Sequence, residues 1–152
     1  MLAGQGNIVI NDQHVLVSGG IVHHEGGCCI TDQELVPLDG NIIMSSPLRS
    51  SAQFGHCMVQ LNKSSILITG GIYFGKDDIG KTTVFQNFET STEENGPELL
   101  IKRFHHACGK VKINGETVVF VVSGNDGYGR KTQYLSLDSD DPKWVYGKVP
   151  IL

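Results

Sequence analysis

An all-β fold built from repeated units is the expectation for this chain, and three observations carry it. Short apolar runs end at paired glycines, first as HVLVSGG (residues 14–20) and again as SILITGG (residues 65–71). A third run, VVFVVSGN (residues 118–125), keeps one of the two glycines. The landmarks recur at one spacing: Gly70 follows Gly19 by 51 residues, His106 follows His56 by 50 and Thr132 follows Thr83 by 49. No stretch carries a 3.6-residue apolar period, so helix is expected to be nearly absent.

Taken in order, each unit reads as four short strands. In the first, residues 7–10 (NIVI) and 14–18 (HVLVS) flank the turn residues Asn11-Asp12. A glycine-rich loop follows, then candidate strands at 30–36 and 41–45 before Pro47 breaks the pattern. In the second unit, strands at 56–61 and 65–69 flank a turn at 62–64, and 83–88 alternates Val84, Gln86 and Phe88 against Phe85. Residues 89–98 are acidic and polar, a surface excursion with a weak fourth strand within or just after it. In the third unit, Asn114-Gly115 is a strong hairpin signal between strands at 106–113 and 117–123. Strands at 132–137 and around Trp144-Val145-Tyr146 complete it.

A period near 50 with four short strands per unit matches a propeller blade of the kelch type. The units resemble kelch repeats through Arg49 ahead of His56, Arg103 ahead of His106, the double glycines Gly19-Gly20 and Gly70-Gly71, and the Trp144-x-x-Gly147 ending. The pattern departs at Ser123-Gly124, where one glycine is lost, and near Asn41 and Glu93, where the expected tryptophan is missing. The resemblance implies an all-β, kelch-type β-propeller segment of about three four-stranded antiparallel blades: residues 1–48, 49–102 and 103–152.

Physical chemistry gives each recurring residue a structural role. Paired glycines end strands where backbones crowd and φ turns positive. Arg49 and Arg103 offer planar donors to loop carbonyls. Trp144 would cover a joint between blades. His56 and His106 invite a catalytic reading, but a residue that recurs with the repeat serves the blade, whereas a catalytic one is usually singular. No catalytic, cofactor-binding or metal-binding residue is therefore assigned.

Residues 75–82, GKDDIGKT, fit the P-loop pattern letter for letter. The segment after it, TTVFQNFE, is β-branched and aromatic where a phosphate site needs a helix N-terminus, and Asp77 and Asp78 would face the phosphates. The match is read as chance. Asp77-Asp78, Glu93-Glu94 and Asp140-Asp141 read as solvated loop runs.

Net charge is −4, and the basic residues are scattered, which gives no footprint for nucleic acid. No apolar run reaches membrane-spanning length. The first ten residues, MLAGQGNIVI, lack a basic n-region and a long apolar h-region, so an intracellular, cytoplasmic location is expected. On that basis all four cysteines are expected as thiols: Cys57 and Cys108 as small buried apolar residues, Cys28-Cys29 as a loop pair. His23-His24 near Cys28-Cys29 leaves metal binding as a lesser reading. Asn62-Lys63-Ser64 is a glycosylation triplet that would matter only in a secreted protein.

The resemblance implies a non-enzymatic scaffold that binds protein partners, with the loops after each glycine pair (residues 21–29, 72–82 and 125–131) on the binding side. The alternative is a fragment of a propeller enzyme such as a galactose-oxidase-like copper oxidase. Propellers close with about four to eight blades, so three would leave two sheet faces open. Phe85, Phe104, Phe120 and Trp144 indicate faces that are meant to be covered. Further blades in a longer chain, or a homodimer completing a six-bladed ring, would cover them.

Overall fold

The computed structural model describes residues 2–10, 12–22, 28–29, 33–40, 44–46, 53–72, 79–124 and 131–147. Among them the chain is all-β, with one 3-10 turn at Ile79–Lys81. The strands are β1 (Leu2–Ala3), β2 (Gly6–Ile10), β3 (His14–Ser18), β4 (Ile21–Val22), β5 (Cys28–Cys29), β6 (Gln33–Pro37) and β7 (Met44–Ser46). Then come β8 (Cys57–Gln60), β9 (Ser65–Thr69), β10 (Thr83–Asn87) and β11 (Thr92–Asn95). The last four are β12 (Ala107–Ile113), β13 (Glu116–Val122), β14 (Gln133–Ser136) and β15 (Val145–Tyr146).

Three antiparallel four-stranded meanders result: β2-β3-β6-β7, β8-β9-β10-β11 and β12-β13-β14-β15. They are called here the first, second and third sheets. Their strands lie where the alternation and turn chemistry put them, to within a few residues. Local chemistry fixes the hairpins. Asn114 and Gly115 take φ of 52° and 91°, the pair of positive values that a two-residue hairpin turn requires. At the β8–β9 turn, the amide of Ser64 donates to Asn62 Oδ1 at 2.9 Å, an Asx turn.

One element is not in the sequence reading. β4 pairs with β1 and with β5, making a small three-stranded sheet where a glycine-rich loop is expected. Cys28-Cys29 therefore lies in a strand rather than a loop. His23, His24, Arg49 and the Asp77-Asp78 pair fall outside the described residues.

The three main sheets stack face to face in chain order, because inner strands such as β3, β9 and β13 carry apolar side chains on both faces. Between the first and second sheets, Ile10 and Leu16 pack on Met58, Ile66 and Ile68. Between the second and third, Val59, Leu67 and Leu99 pack on Val119, Val121, Leu135 and Trp144. In β9, Ile66, Leu67 and Ile68 are all buried, since the second sheet is covered on both sides. Each such side chain contributes about 1.5–3 kcal/mol of burial free energy, and β-branched residues suit a pleat packed on both faces.

Candidate functional site

The joints between sheets are built alike. Gly20 donates its amide to the carbonyl of Gln53 at 3.0 Å, and Gly71 donates to the carbonyl of Arg103 at 2.8 Å. A Cβ on Gly19 would meet Gln53 O at 2.2 Å, and one on Gly70 would meet Arg103 O at 2.4 Å. Gly19 and Gly70 hold φ of 64° and 58°. The paired glycines thus let the next unit's backbone lie directly against the end of the preceding strand. In the third unit Ser123 takes φ 60° at the degenerate position, and Gly124 follows at 100°.

This geometry shows that Gln53, not Arg49, occupies in the second unit the place Arg103 holds in the third. Both stand three residues ahead of the repeat histidine, and both receive the glycine amide. Residue type misled the match, whereas spacing from His56 and His106 would have found Gln53. Arg103 is fully buried; its guanidinium donates to the carbonyls of Ser123 and Lys131. Gln53 Nε2 donates to Thr82 Oγ1 at 3.2 Å, the equivalent loop end one unit earlier.

His56 and His106 are buried at these joints. His106 Nε2 lies 2.8 Å from Thr69 Oγ1 of the preceding sheet. Burial chiefly, with the nearby Arg103 guanidinium and His105 adding to it, pushes the His106 pKa down to about 4. The ring is therefore neutral near pH 7 and acts as a hydrogen-bonding spacer. Trp144, just ahead of β15, is buried in the second joint, and its Nε1 donates to the carbonyl of Pro97 at 2.9 Å.

The four-thiol expectation is corrected at one pair. Cys57 and Cys108 form a disulfide, with Cα atoms 6.0 Å apart. The signal was present in the spacing. The two cysteines are 51 residues apart, whereas the histidines beside them are 50 apart. A one-residue shift moves a side chain to the other face of its sheet. Cys57 faces forward from the second sheet, paired with Thr69, and Cys108 faces back from the third, paired with Val121. The two faces meet, so the thiols meet.

A different set of residues lies just ahead of the first strands, with His105 exposed among them. The amide of Gly55 donates to the carbonyl of Gly4 at 2.7 Å, and that of His105 donates to Gly55 O at 2.7 Å. Gly4, Gly55 and His105 have φ of 69°, 67° and 51°. Two units use glycine for this left-handed turn, and the third uses an exposed histidine. The His105 ring sits 5.4 Å from the Phe104 ring, edge to face, and 6.2 Å from that of Phe54. Phe54 is held in turn by reciprocal backbone hydrogen bonds with Ile72, so the cluster rests on the segment that follows the second glycine pair. A non-glycine residue in this region carries backbone strain that glycine would avoid. An imidazole flanked by two aromatic rings can stack on, and hydrogen-bond to, a polypeptide laid over it.

The P-loop match meets a 3-10 turn at Ile79–Lys81 and then strand β10, with no helix to receive a phosphate. Among the described residues, no group of three or more His, Cys, Asp or Glu side chains could hold a metal ion. No described helix is long and apolar enough to cross a membrane. The sequence matches no family model, and no curated protein matches it.

Proposed function

We propose that the chain is a kelch-type β-propeller segment acting as a non-enzymatic scaffold, and that it binds a protein partner at the end of the sheets marked by Phe54, Phe104 and His105. The observation that carries this reading is His105 itself: an exposed imidazole, held between two aromatic rings, in a left-handed turn where the other units have glycine. Repetition of the joint supports the propeller part, since three sheets are stacked by the same glycine–carbonyl contact. Location belongs to the proposal as well. An intracellular setting remains an expectation, and the Cys57–Cys108 disulfide fits an oxidising one.

The reading is tested by selecting peptides from a displayed library on the immobilised chain, then measuring their affinity for the His105→Gly variant. Loss of binding with an intact fold supports the site. Peptides that bind the variant equally well would remove it.

A further inference from the structure

Among the described residues, both joints between the main sheets pair two unlike faces, and one face of each kind has no neighbouring sheet. The forward face of a sheet meets the sheet that follows. On the first sheet it presents Ile10 and Leu16, on the second Val59 and Leu67, all buried. The backward face meets the sheet before. On the second sheet it presents Ile66 and Ile68, on the third Val119 and Val121, again all buried.

The register gives the equivalent residues on the two uncovered faces. Gly109↔Phe120↔Tyr134 in the third sheet matches Val59↔Leu67↔Phe85 in the second. The forward face of the third sheet therefore carries Phe120 and Tyr134, with Val111 40%, Ile113 47% and Val145 56% exposed. A shallow depression lies on it, lined by Ile113, Val118, Tyr134 and Val145 among others. On the first sheet, Val15 and Val17 stand where Ile66 and Ile68 stand on the second, and Val9, beside Val15, is 48% exposed. Glu34 pairs with Val17 as Gln133 pairs with Val121. Gln133 Oε1 accepts the amide of Leu100 at 2.7 Å, so the joint has a use for an acceptor at that place.

We infer that the forward face of the third sheet docks onto the backward face of the first sheet of a second copy, and that two such joints related by a two-fold axis close a six-sheet ring. The occupant follows from the molecule. At both internal joints a forward face is covered by a backward face, and the backward face open on this chain belongs to its own first sheet. The contact is thus head to tail, not a face against itself. The inference rests on the propeller reading proposed above, but it does not involve the His105 surface.

The test is the absolute mass of the full chain by light scattering, with one variant on each of the two outward-facing sheet faces. Wild type is expected at about twice 16.5 kDa. Val15→Glu blocks the backward face and Val111→Glu the forward face; each is expected to weaken association by about a hundredfold or more, by burying an unpaired charge. Mixing the two variants is expected to restore a dimer, because one joint then joins two unblocked faces. Circular dichroism on each variant checks that the sheets remain. A monomeric wild type, a dimer indifferent to Val15→Glu, no recovery on mixing, or masses that keep growing with concentration would each overturn the inference. Peptide binding at His105 is measured on the same samples. A monomer that still binds fails this inference alone, and a dimer that binds nothing fails the scaffold reading alone.

Discussion

Cys57, in the first strand of the second sheet, is bonded to Cys108, in the first strand of the third, across a joint also held by apolar packing and by hydrogen bonds such as that from the Gly71 amide to the Arg103 carbonyl. The crosslink closes a loop that contains the whole of the rest of the second sheet. In the chain-entropy account, a loop of this length is worth about 4 kcal/mol. Cys57→Ser with Cys108→Ser, or reduction of the wild type, is expected to lower the unfolding free energy by about that amount. Denaturant melts with and without reductant measure it, and peptide mapping of the unreduced chain should recover the 57–108 crosslinked pair.

His106 sets a pH dependence. Its pKa is near 4 when folded and near its ordinary value of about 6.5 when unfolded. The unfolded chain takes up the proton first as pH falls. The stability held by the neutral ring is therefore fully present above about pH 6.5 and is lost as pH falls through 6.5 towards 4. The loss is on the order of 3 kcal/mol. His106→Gln, which keeps a hydrogen-bonding side chain at this joint without a titrating group, should flatten the melting temperature over that window.

The glycine pair sets a steric rule. Gly70→Ala would bring a methyl to 2.4 Å from the Arg103 carbonyl at a φ of 58°, so it should destabilise by about 3 kcal/mol or more. Ser123→Gly, at the equivalent turn of the third unit, should raise stability by up to about 1 kcal/mol. Paired thermal melts of the two variants against wild type give both signs at once.

Trp144 contributes shape and one hydrogen bond to the second joint. Trp144→Phe keeps most of the packing and loses the bond to Pro97 O, and should cost about 1 kcal/mol. Trp144→Ala opens a cavity beside Leu135 and Val121 and should cost about 3–5 kcal/mol. Tryptophan fluorescence in the wild type reports the same joint directly, shifting to the red as the third sheet separates.

The four-strand units were legible because alternation and turn chemistry are local: β3 and β9 fall at the residues the pattern marked, and Asn114-Gly115 makes its hairpin. Gly70 and Gly71 could be read because no other residue fits their contacts. What escaped depends on how units meet. Gln53 lies at the Arg103 position with a different side chain, because the contact it makes with Gly20 uses its backbone carbonyl. The disulfide escaped because the thiol expectation rested on location, whereas the crosslink depends on which sheet face each cysteine occupies. His105 escaped because it looks like one of a run of polar residues; only its φ of 51° and its place beside Phe54, fifty-one residues earlier, give it meaning.

One variant decides whether a binding surface is centred on His105. His105→Gly gives the third unit the residue the other two use at Gly4 and Gly55. It should raise the unfolding free energy by up to about 1 kcal/mol by relieving the left-handed turn. The same change should weaken selected peptides about tenfold or more, by removing the imidazole and the edge it offers beside Phe104. A more stable protein that no longer binds is the predicted result. A variant that loses stability, or that binds as tightly as wild type, would contradict the claim that His105 is kept for a partner at the expense of the fold.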